Sequence, residues 1–255
     1  MKTIALISTA GGAGRTTLAA ALATLLARAG REVVALDLDP QNMLGAHLGL
    51  DELPPSGIAQ ALTGAARHWH DHTFRNEDGV LFVPHGQVTL AEAAACDAQL
   101  AAQPRWLERA LGEIGLPETG VVLLDTPRYP SPQADHAVRA ADLVLCVTPP
   151  EPAACATLVA RLAALRETCA DVRLVVNRLN PAREMQRDLL AMLRVASHGA
   201  LLAQRIHVDA ALPEAFSRGA WLFDEAPHSQ ASHDLHGLAH ELDAWLPAKT
   251  ADVTA

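Results

Sequence analysis

Cysteine is scarce in this sequence, and no two cysteines form a C-x-x-C pair. The four of them, Cys96, Cys146, Cys155 and Cys169, are spread through 255 residues. This usage is typical of a protein in a reducing cytoplasm, where buried thiols behave as small hydrophobic side chains.

The sequence also lacks a long hydrophobic run. A membrane-spanning helix needs about eighteen or more consecutive apolar residues, and no segment reaches that length, so we expect no transmembrane helix. The N-terminus, M-K-T-I-A-L-I-S, superficially resembles a signal peptide, but its apolar run ends within a few residues at a glycine loop. A helical pattern follows the loop, and we therefore interpret the N-terminus as a buried strand rather than an export signal.

Basic charge is in deficit, because 20 Lys and Arg residues are outnumbered by 29 Asp and Glu residues, for a formal net charge of −9. This balance argues against a protein that binds nucleic acid without regard to sequence, since such affinity depends on a basic surface. Charged residues make up only 19% of the chain and hydrophobic residues 50%. The composition therefore excludes a disordered chain and is sufficient for the core of one large α/β domain.

Short apolar runs alternate with helical patterns along the chain. We predict strands at residues 3–7, 32–36, 80–83, 121–124, 143–147 and 173–176, and a last short strand around Ile206. Apolar runs without strict alternation are typical of parallel strands covered on both faces, and their alternation with helices predicts a doubly wound, mostly parallel α/β sheet. We expect one domain over residues 1–246, with a closing helix at about 230–245 and a short disordered tail at 247–255.

Polar residues follow four of the predicted strands, at residues 11–17, 37–41, 125–128 and 177–180. The carboxyl ends of parallel strands meet at one edge of a sheet, which is where such sheets bind ligands. We therefore expect these four segments to form one site.

The first of these segments belongs to the string T-A-G-G-A-G-R-T-T at residues 9–17, directly after a predicted strand and before a predicted helix. In that context glycines let backbone N–H groups converge on phosphate oxygens at the helix N-terminus. Compared with the G-x-x-x-x-G-K-[ST] template, Thr9 replaces the first glycine and Arg15 replaces the lysine, while Thr16 keeps the hydroxyl that binds Mg²⁺. Taken alone, the string could also be a glycine-rich turn without a ligand.

Arg15 is the most informative departure from the template. A lysine places a compact charge between phosphates, whereas an arginine brings a larger planar group that we expect to fit a tight loop poorly. Backbone donors and magnesium can still support nucleotide binding. Rapid hydrolysis requires a close clamp on the charge of the transition state, so we predict binding with little turnover.

The strings G-G-A-G-R-T-T, D-L-D-P-Q-N, L-L-D-T-P and V-N-R, in this order, resemble the ParA/MinD group of deviant Walker A ATPases over nearly the whole chain. The segment at residues 206–219 is similar to the one that closes the nucleotide pocket in that group. The group's signature lysine reaches across a dimer, and Ala10 holds its position here. With both lysines replaced, the chain is most similar to the BcsQ (YhjQ) branch, which is encoded with bacterial cellulose synthase.

The resemblance implies ATP and Mg²⁺ as cofactors and assigns roles by position. Asp39 would orient the attacking water as the catalytic residue, and Thr16, Asp39 and Asp125 would hold the metal. The residues implied to bind the nucleotide are Gly11, Gly12, Ala13, Gly14, Arg15, Thr16 and Thr17 at the phosphates and Asn177 and Arg178 at the adenine.

Three other groups of side chains have simpler interpretations as solvated surface. His68, His70, Asp71 and His72 could suggest a metal site, but no paired cysteines or distant ligands support one. His233, His236 and His240 share a face of the last helix without an H-E-x-x-H pattern. Arg183, Arg187 and Arg194 could contact DNA, but acidic residues are interspersed among them.

The leading hypothesis is an ATP-binding scaffold that forms a nucleotide-dependent homodimer and is at most a slow ATPase. The resemblance implies that it docks on the cytoplasmic side of cellulose synthase, peripheral to the inner membrane through partners, with a small BcsR-like protein. Its tail lacks the basic amphipathic helix of a direct membrane anchor. The alternatives are a ParA-type partitioning ATPase acting on DNA or another cargo, and a pseudoenzyme that has lost nucleotide.

Overall fold

A computed structural model describes residues 1–66 and 68–248 of the chain. These residues contain seven strands of one sheet: β1 (Lys2–Ile7), β2 (Val33–Asp37), β3 (Phe74–Arg75), β4 (Leu81–Val83), β5 (Val121–Asp125), β6 (Leu143–Thr148) and β7 (Val172–Val176). Their order across the sheet is β3-β4-β2-β5-β1-β6-β7. Only the β3–β4 pair among them is antiparallel, at the edge of the sheet.

Helices fill most of the connections. They are α1 (Arg15–Arg28), α2 (Leu44–His47), α3 (Ile58–Leu62), α4 (Leu90–Ala102), α5 (Trp106–Gly112), α6 (Pro132–Ala140), α7 (Pro152–Thr168), α8 (Glu184–Ala196), α9 (Ala211–Ser217), α10 (Leu222–Glu225) and α11 (Gln230–Trp245), with a 3-10 turn at Trp69–His72. No helix in the described part of the chain is long and apolar enough to cross a membrane.

The sheet is covered on both faces, and the middle of each central strand is continuously apolar. In β1, Ile4 and Leu6 contribute to the core beneath α1 and α11, while Ala5 and Ile7 contribute to the core beneath α6 and α7. Successive residues of a strand point to opposite faces, so a strand buried on both faces must be continuously apolar. The predicted fold class, a doubly wound and mostly parallel α/β sheet, is confirmed.

Two details of the sheet differ from the prediction. The edge strand β3 has only two residues and was not predicted, since so short a segment carries no periodic pattern. The strand expected around Ile206 is wrong: His207 forms only an isolated bridge with Leu179, and the Ile206 amide donates to the Val176 carbonyl. The segment lies beside the end of β7 through three backbone hydrogen bonds, while the amide of His207 donates to the buried carboxylate of Asp234 at 2.8 Å.

The last helix has the predicted bounds. The Ser229 side chain accepts a hydrogen bond from the Ser232 amide at its N-terminus, as an N-cap residue should. The single domain over residues 1–246 stays a prediction. So does the disordered tail, most of which, residues 249–255, lies outside the described residues.

Candidate phosphate-binding site

The glycine-rich loop connects the C-terminal end of β1 to the N-terminus of α1. Gly12 and Gly14 both have positive φ, 64° and 87°, which glycine adopts without steric cost. Gly14 is the N-cap of α1, and no side chain caps the helix there. The loop thus delivers the positive end of a buried helix to the carboxyl edge of the sheet, as phosphate binding requires.

Gly14 is also closely packed. A Cβ atom at this position would lie 2.4 Å from Nδ2 of Asn177, at the end of β7. The close approach joins the loop to the far side of the sheet.

We expect Gly14→Ala to lower the free energy of unfolding by about 2–4 kcal/mol, because it adds a steric clash to an unfavourable φ. Gly30→Ala is the matched control, since Gly30 has φ +86° but open space around its Cβ position. The control should cost about 1 kcal/mol from backbone strain alone. Urea denaturation measures both, and equal losses would contradict the predicted clash.

Arg15, the first residue of α1, is buried, and its side chain contacts the loop as well as the segments that follow β5 and β2. Its Nε donates to the Thr126 carbonyl at 2.8 Å, and Nη1 donates more weakly to the carbonyls of Ala10 and Ser8 at 3.4 and 3.5 Å. Its Nη2 lies 3.6 Å from Oδ2 of Asp39. These contacts accommodate the side chain at the loop, and the expectation that arginine fits poorly around a phosphate stays a prediction.

Asp39 lies in a turn that follows β2. The Asp39 amide donates to Oδ1 of Asp37, and the Leu44 amide donates to Oδ2 of the same carboxylate, both at 3.0 Å. Oδ1 of Asp39 accepts the Gln41 amide at 3.0 Å. Both carboxylates thus hold the backbone of residues 37–44 in one arrangement.

Asp125 ends β5 and is the register partner of Asp37 on β2. In the described part of the chain, neither Asp125 oxygen has a hydrogen-bond partner of standard geometry, although both oxygens are buried. Burial raises the pKa of Asp125 to about 7, while the nearby Thr16 side chain and, more weakly, the Arg15 charge oppose the shift. Burial and the charge of Asp125 likewise raise the pKa of Asp37 well above its ordinary value.

Such orphaned carboxylate oxygens fit a hard cation. Mg²⁺ prefers oxygen ligands and is commonly held by one or two carboxylates together with substrate phosphates. Asp125 offers two free oxygens beside the Thr16 hydroxyl, so these residues fit the predicted magnesium site. The oxygens of Asp39 contact Arg15 and the Gln41 amide, and its roles as metal ligand and catalytic residue stay predictions.

Asn177 and Arg178 reach the loop from the end of β7. Asn177 is buried, its Nδ2 donates to the Ala13 carbonyl at 2.7 Å and its Oδ1 accepts the Arg178 amide. The Arg178 Nη1 donates to the Gly12 carbonyl at 3.2 Å, and its backbone has φ 64°. The structure therefore brings the four predicted segments together. The adenine contact of Asn177 and Arg178 stays a prediction.

The alternative candidates do not join this site. His68 and His70 stack on each other at the 3-10 turn, and the described residues contain no group of three or more His, Cys, Asp or Glu side chains suited to a metal ion. His233, His236 and His240 are exposed on α11, and Arg183, Arg187 and Arg194 are exposed at α8.

Sequence reasoning missed the pairing of His207 with Asp234. Nδ1 of His207 lies 2.8 Å from Oδ2 of Asp234, which is 3% exposed and also contacts Gln204 and Gln230. The pair anchors the start of residues 206–219 to α11. No local pattern could reveal it, because the two residues are 27 positions apart.

A cavity of about 490 Å³ opens beside the loop, with Thr17, His47, Phe216 and Trp221 among its walls. His47 stacks on Phe216 with ring centroids 4.0 Å apart. Burial lowers the pKa of His47 to about 4. Trp221 is partly buried and stacks on Phe223, with ring centroids 5.2 Å apart.

The low pKa of His47 predicts acid sensitivity. Between pH 6.5 and 4 the unfolded chain binds a proton at His47 that the folded chain does not, so this residue lowers the free energy of unfolding as pH falls through that window. We expect a loss of about 1–2 kcal/mol, reduced for partial exposure. His47→Phe keeps the stacking ring and should remove this loss, as measured by urea denaturation at pH 7 and 5. His240→Phe, on the exposed face of α11, should leave the pH dependence unchanged; the same change in both variants would exclude His47 as its source.

The chain is similar in sequence to known proteins whose family agrees with a phosphate loop at this position. Residues 1–242 match the protein family described as cellulose biosynthesis protein BcsQ. The chain is 30% identical over 251 residues to the chromosome-partitioning ATPase Soj of Thermus thermophilus, covering 96% of each chain. It is 29% identical over 238 residues to the BcsQ protein of Salmonella typhimurium, covering 90% of this chain and 89% of that one.

The fold is similar to that of the septum site-determining protein MinD of Pyrococcus horikoshii, solved in complex with Mg-ADP. The two structures superpose with a TM-score of 0.77 at 22% identity, over 96% of each chain. At this identity the likeness establishes the fold alone.

Proposed function

Because this chain belongs to the BcsQ family of ParA/MinD-type proteins, as its match over residues 1–242 shows, we propose that it is an ATP-binding scaffold that hydrolyses ATP slowly or not at all. One observation carries the proposal. Arg15, in the position of the catalytic lysine, is fixed at Nε by the Thr126 carbonyl. The loop that would cradle phosphates is retained, while the compact lysine charge that would clamp the transition state is replaced by a planar guanidinium held at Nε.

Nucleotide binding is supported by the donors that remain. The loop amides and the N-terminus of α1 attract phosphate without any side-chain charge. Thr16, Asp39 and Asp125 would hold a magnesium ion, which neutralises charge on the phosphates when it is bound. The orphaned oxygens of Asp125 support this assignment, since a buried carboxylate without donors is costly to keep for a purely structural role.

The experiment that tests this proposal measures Mg-ATP affinity by calorimetry and phosphate release under single-turnover conditions. We expect the wild type to bind Mg-ATP with little release. Arg15→Lys should raise the rate of release about tenfold, because a lysine is not held at Nε by the Thr126 carbonyl and places a compact charge between the phosphates. Arg187→Lys, an exposed change of the same type on α8, should have no effect.

Two results would contradict the proposal. If the wild type hydrolyses ATP at a rate typical of dedicated ATPases, the protein is an enzyme and Arg15 does not impair hydrolysis. Absence of Mg-ATP binding would instead identify a pseudoenzyme that acts only through protein contacts.

We further propose that ATP stabilises a homodimer that acts at the cytoplasmic side of a cellulose synthase, together with a small BcsR-like protein. The support is the family match and the relative named as a cellulose biosynthesis protein. Sedimentation with and without Mg-ATP tests the dimer. Copurification with the synthase from the native host, lost in Asp125→Ala, tests the client.

A second candidate is a partitioning ATPase that acts on DNA. The similarity to Soj favours it, as do the exposed arginines at positions 183, 187 and 194. The net charge of −9 opposes it. A partitioning protein should bind duplex DNA in the presence of Mg-ATP, with affinity that falls steeply as salt is raised, and Arg187→Ala and Arg194→Ala should weaken that binding.

A further inference from the structure

The contact between Arg15 and Asp39 joins the phosphate loop to the turn after β2. Both side chains are about nine-tenths buried, and their nearest charged atoms, Nη2 and Oδ2, are 3.6 Å apart. The stronger bond of Arg15 is the one from Nε to the Thr126 carbonyl at 2.8 Å. The guanidinium is thus fixed at Nε, while its end contacts Asp39 over a distance too long for a good hydrogen bond.

Asp39 in turn holds a junction of three loops. Its Oδ1 accepts the Gln41 amide, and its carbonyl accepts the Asn42 amide at 2.8 Å. The Asn42 side chain donates to the Pro54 carbonyl at 2.9 Å and accepts the Gly86 amide at 3.1 Å. Asn42 has φ 57°, a conformation that this set of hydrogen bonds stabilises. The orientation of one carboxylate therefore affects the turn after β2 and two neighbouring loops.

We propose that Arg15 is a nucleotide-sensing residue: it holds Asp39 when the phosphate loop is empty and releases Asp39 when a nucleotide phosphate takes its guanidinium. The ligand part of this proposal rests on the proposed function. A phosphate at the N-terminus of α1 carries more charge than a carboxylate and accepts two parallel hydrogen bonds from a guanidinium. The 3.6 Å contact with Asp39 is weak enough for a phosphate to displace it.

In this scheme Arg15 is a positioning residue rather than a catalytic one. Its replacement of lysine then has a use, because a side chain long enough to reach Asp39 from α1 couples loop occupancy to the turn. Release of Asp39 frees Oδ2 and weakens the hold on the Gln41 amide.

The test is amide hydrogen exchange of Gln41 and Asn42, measured with and without saturating ATP in EDTA, so that magnesium binding to Asp39 plays no part. Binding of ATP is followed by calorimetry in the same samples. In the wild type, ATP should speed exchange of these amides about fivefold, the effect of losing one partly buried ion pair. Arg15→Met should show the faster exchange without ATP, and ATP should then add nothing.

Two further variants complete the experiment. Asp39→Asn keeps the oxygen that accepts the Gln41 amide but breaks the ion pair from the other side, so it should also exchange faster without ATP. Arg187→Met, an exposed change of the same type, should behave as wild type. Slow exchange in both Arg15→Met and Asp39→Asn would overturn the proposal.

The measurements with ATP distinguish failure of this proposal from failure of the proposed function. ATP binding without faster exchange in the wild type overturns the sensor and leaves the ATP-binding function intact. Absence of ATP binding in EDTA overturns the sensor, and absence of binding in magnesium as well overturns both.

Discussion

Asp125→Asn is expected to make the nucleotide-free protein more stable at pH 8 and to abolish its magnesium-dependent binding of ATP. The variant replaces a buried carboxylate, whose oxygens have no hydrogen-bond partner in the described part of the chain, with a neutral side chain of the same shape. The two effects have one cause, since the oxygens that destabilise the empty protein are those that fit a cation.

The sign of the stability effect follows from the pKa of Asp125, which burial raises to about 7 from its ordinary 3.8. Between these values the folded protein holds a proton that the unfolded chain has lost, so the residue's contribution to the free energy of unfolding falls as pH rises from 4 to 7. Asparagine removes this loss. We expect the free energy of unfolding to rise by about 1–3 kcal/mol at pH 8 and to change little at pH 4. The gain is at the lower end if Asp37 becomes ionised once the charge of Asp125 is removed.

The matched control is Asp37→Asn, on the neighbouring strand. Asp37 is equally buried, but both of its oxygens accept backbone amides, from Asp39 and Leu44. The pKa of Asp37 is also raised, so asparagine removes a charge penalty at pH 8 here too, but it has one acceptor oxygen and loses one of the two amide hydrogen bonds. Asp37→Asn should therefore be less stable than Asp125→Asn by about 1–3 kcal/mol, and it should be less stable than the wild type at pH 4. Urea denaturation in EDTA at pH 4 and pH 8 gives these differences, and calorimetry with Mg-ATP gives the binding. An unstable Asp125→Asn that still binds Mg-ATP would contradict both expectations.

Much of the fold and the position of the site could be predicted from local patterns. Continuous apolar runs identify strands that are buried on both faces. The pattern is dependable because it arises directly from burial in the folded protein. The helix at residues 230–245 was predicted with the observed bounds. The meeting of the four polar segments follows from the parallel arrangement of the strands.

The contacts within the site could not be predicted, because they depend on distances across the sheet. The motif shows that Arg15 replaces a lysine, but not that its Nε reaches a carbonyl 111 residues away. The same limit applies to Asn177 against Ala13 and to His207 with Asp234. Sequence also favoured a strand around Ile206, where the structure has only a short bridge to Leu179 and an amide bond from His207 to the buried carboxylate of Asp234.

Arg31→Ala is expected to cause a large loss of stability, because Arg31 joins three segments below the core. Its side chain is 3% exposed, and Nε donates to Oδ1 of Asp243 at 2.7 Å. Nη1 donates to the carbonyls of Pro247 and Thr119 at 2.6 and 3.2 Å, and Nη2 to the Asp243 carbonyl at 3.1 Å. The residue therefore fixes the end of α11 to the segment before β5.

Loss of this side chain leaves several acceptors without their donor at once. A buried ion pair broken from one side typically costs about 3–5 kcal/mol, and we expect Arg31→Ala to fall in that range by urea denaturation. Arg31→Lys retains the charge but not the planar set of donors, and should recover only part of the loss.

Arg28→Ala is the matched control, three residues earlier at the end of α1. Arg28 also forms two ion pairs, with Asp78 and Asp224, but all three side chains are partly exposed, the arginine at 38%. Exposed pairs contribute about 0–1 kcal/mol each, so this variant should cost little more than 1 kcal/mol. A similar loss in both variants would show that burial does not decide the effect. A small loss in Arg31→Ala would mean that α11 stays in place through its apolar contacts with α1 alone.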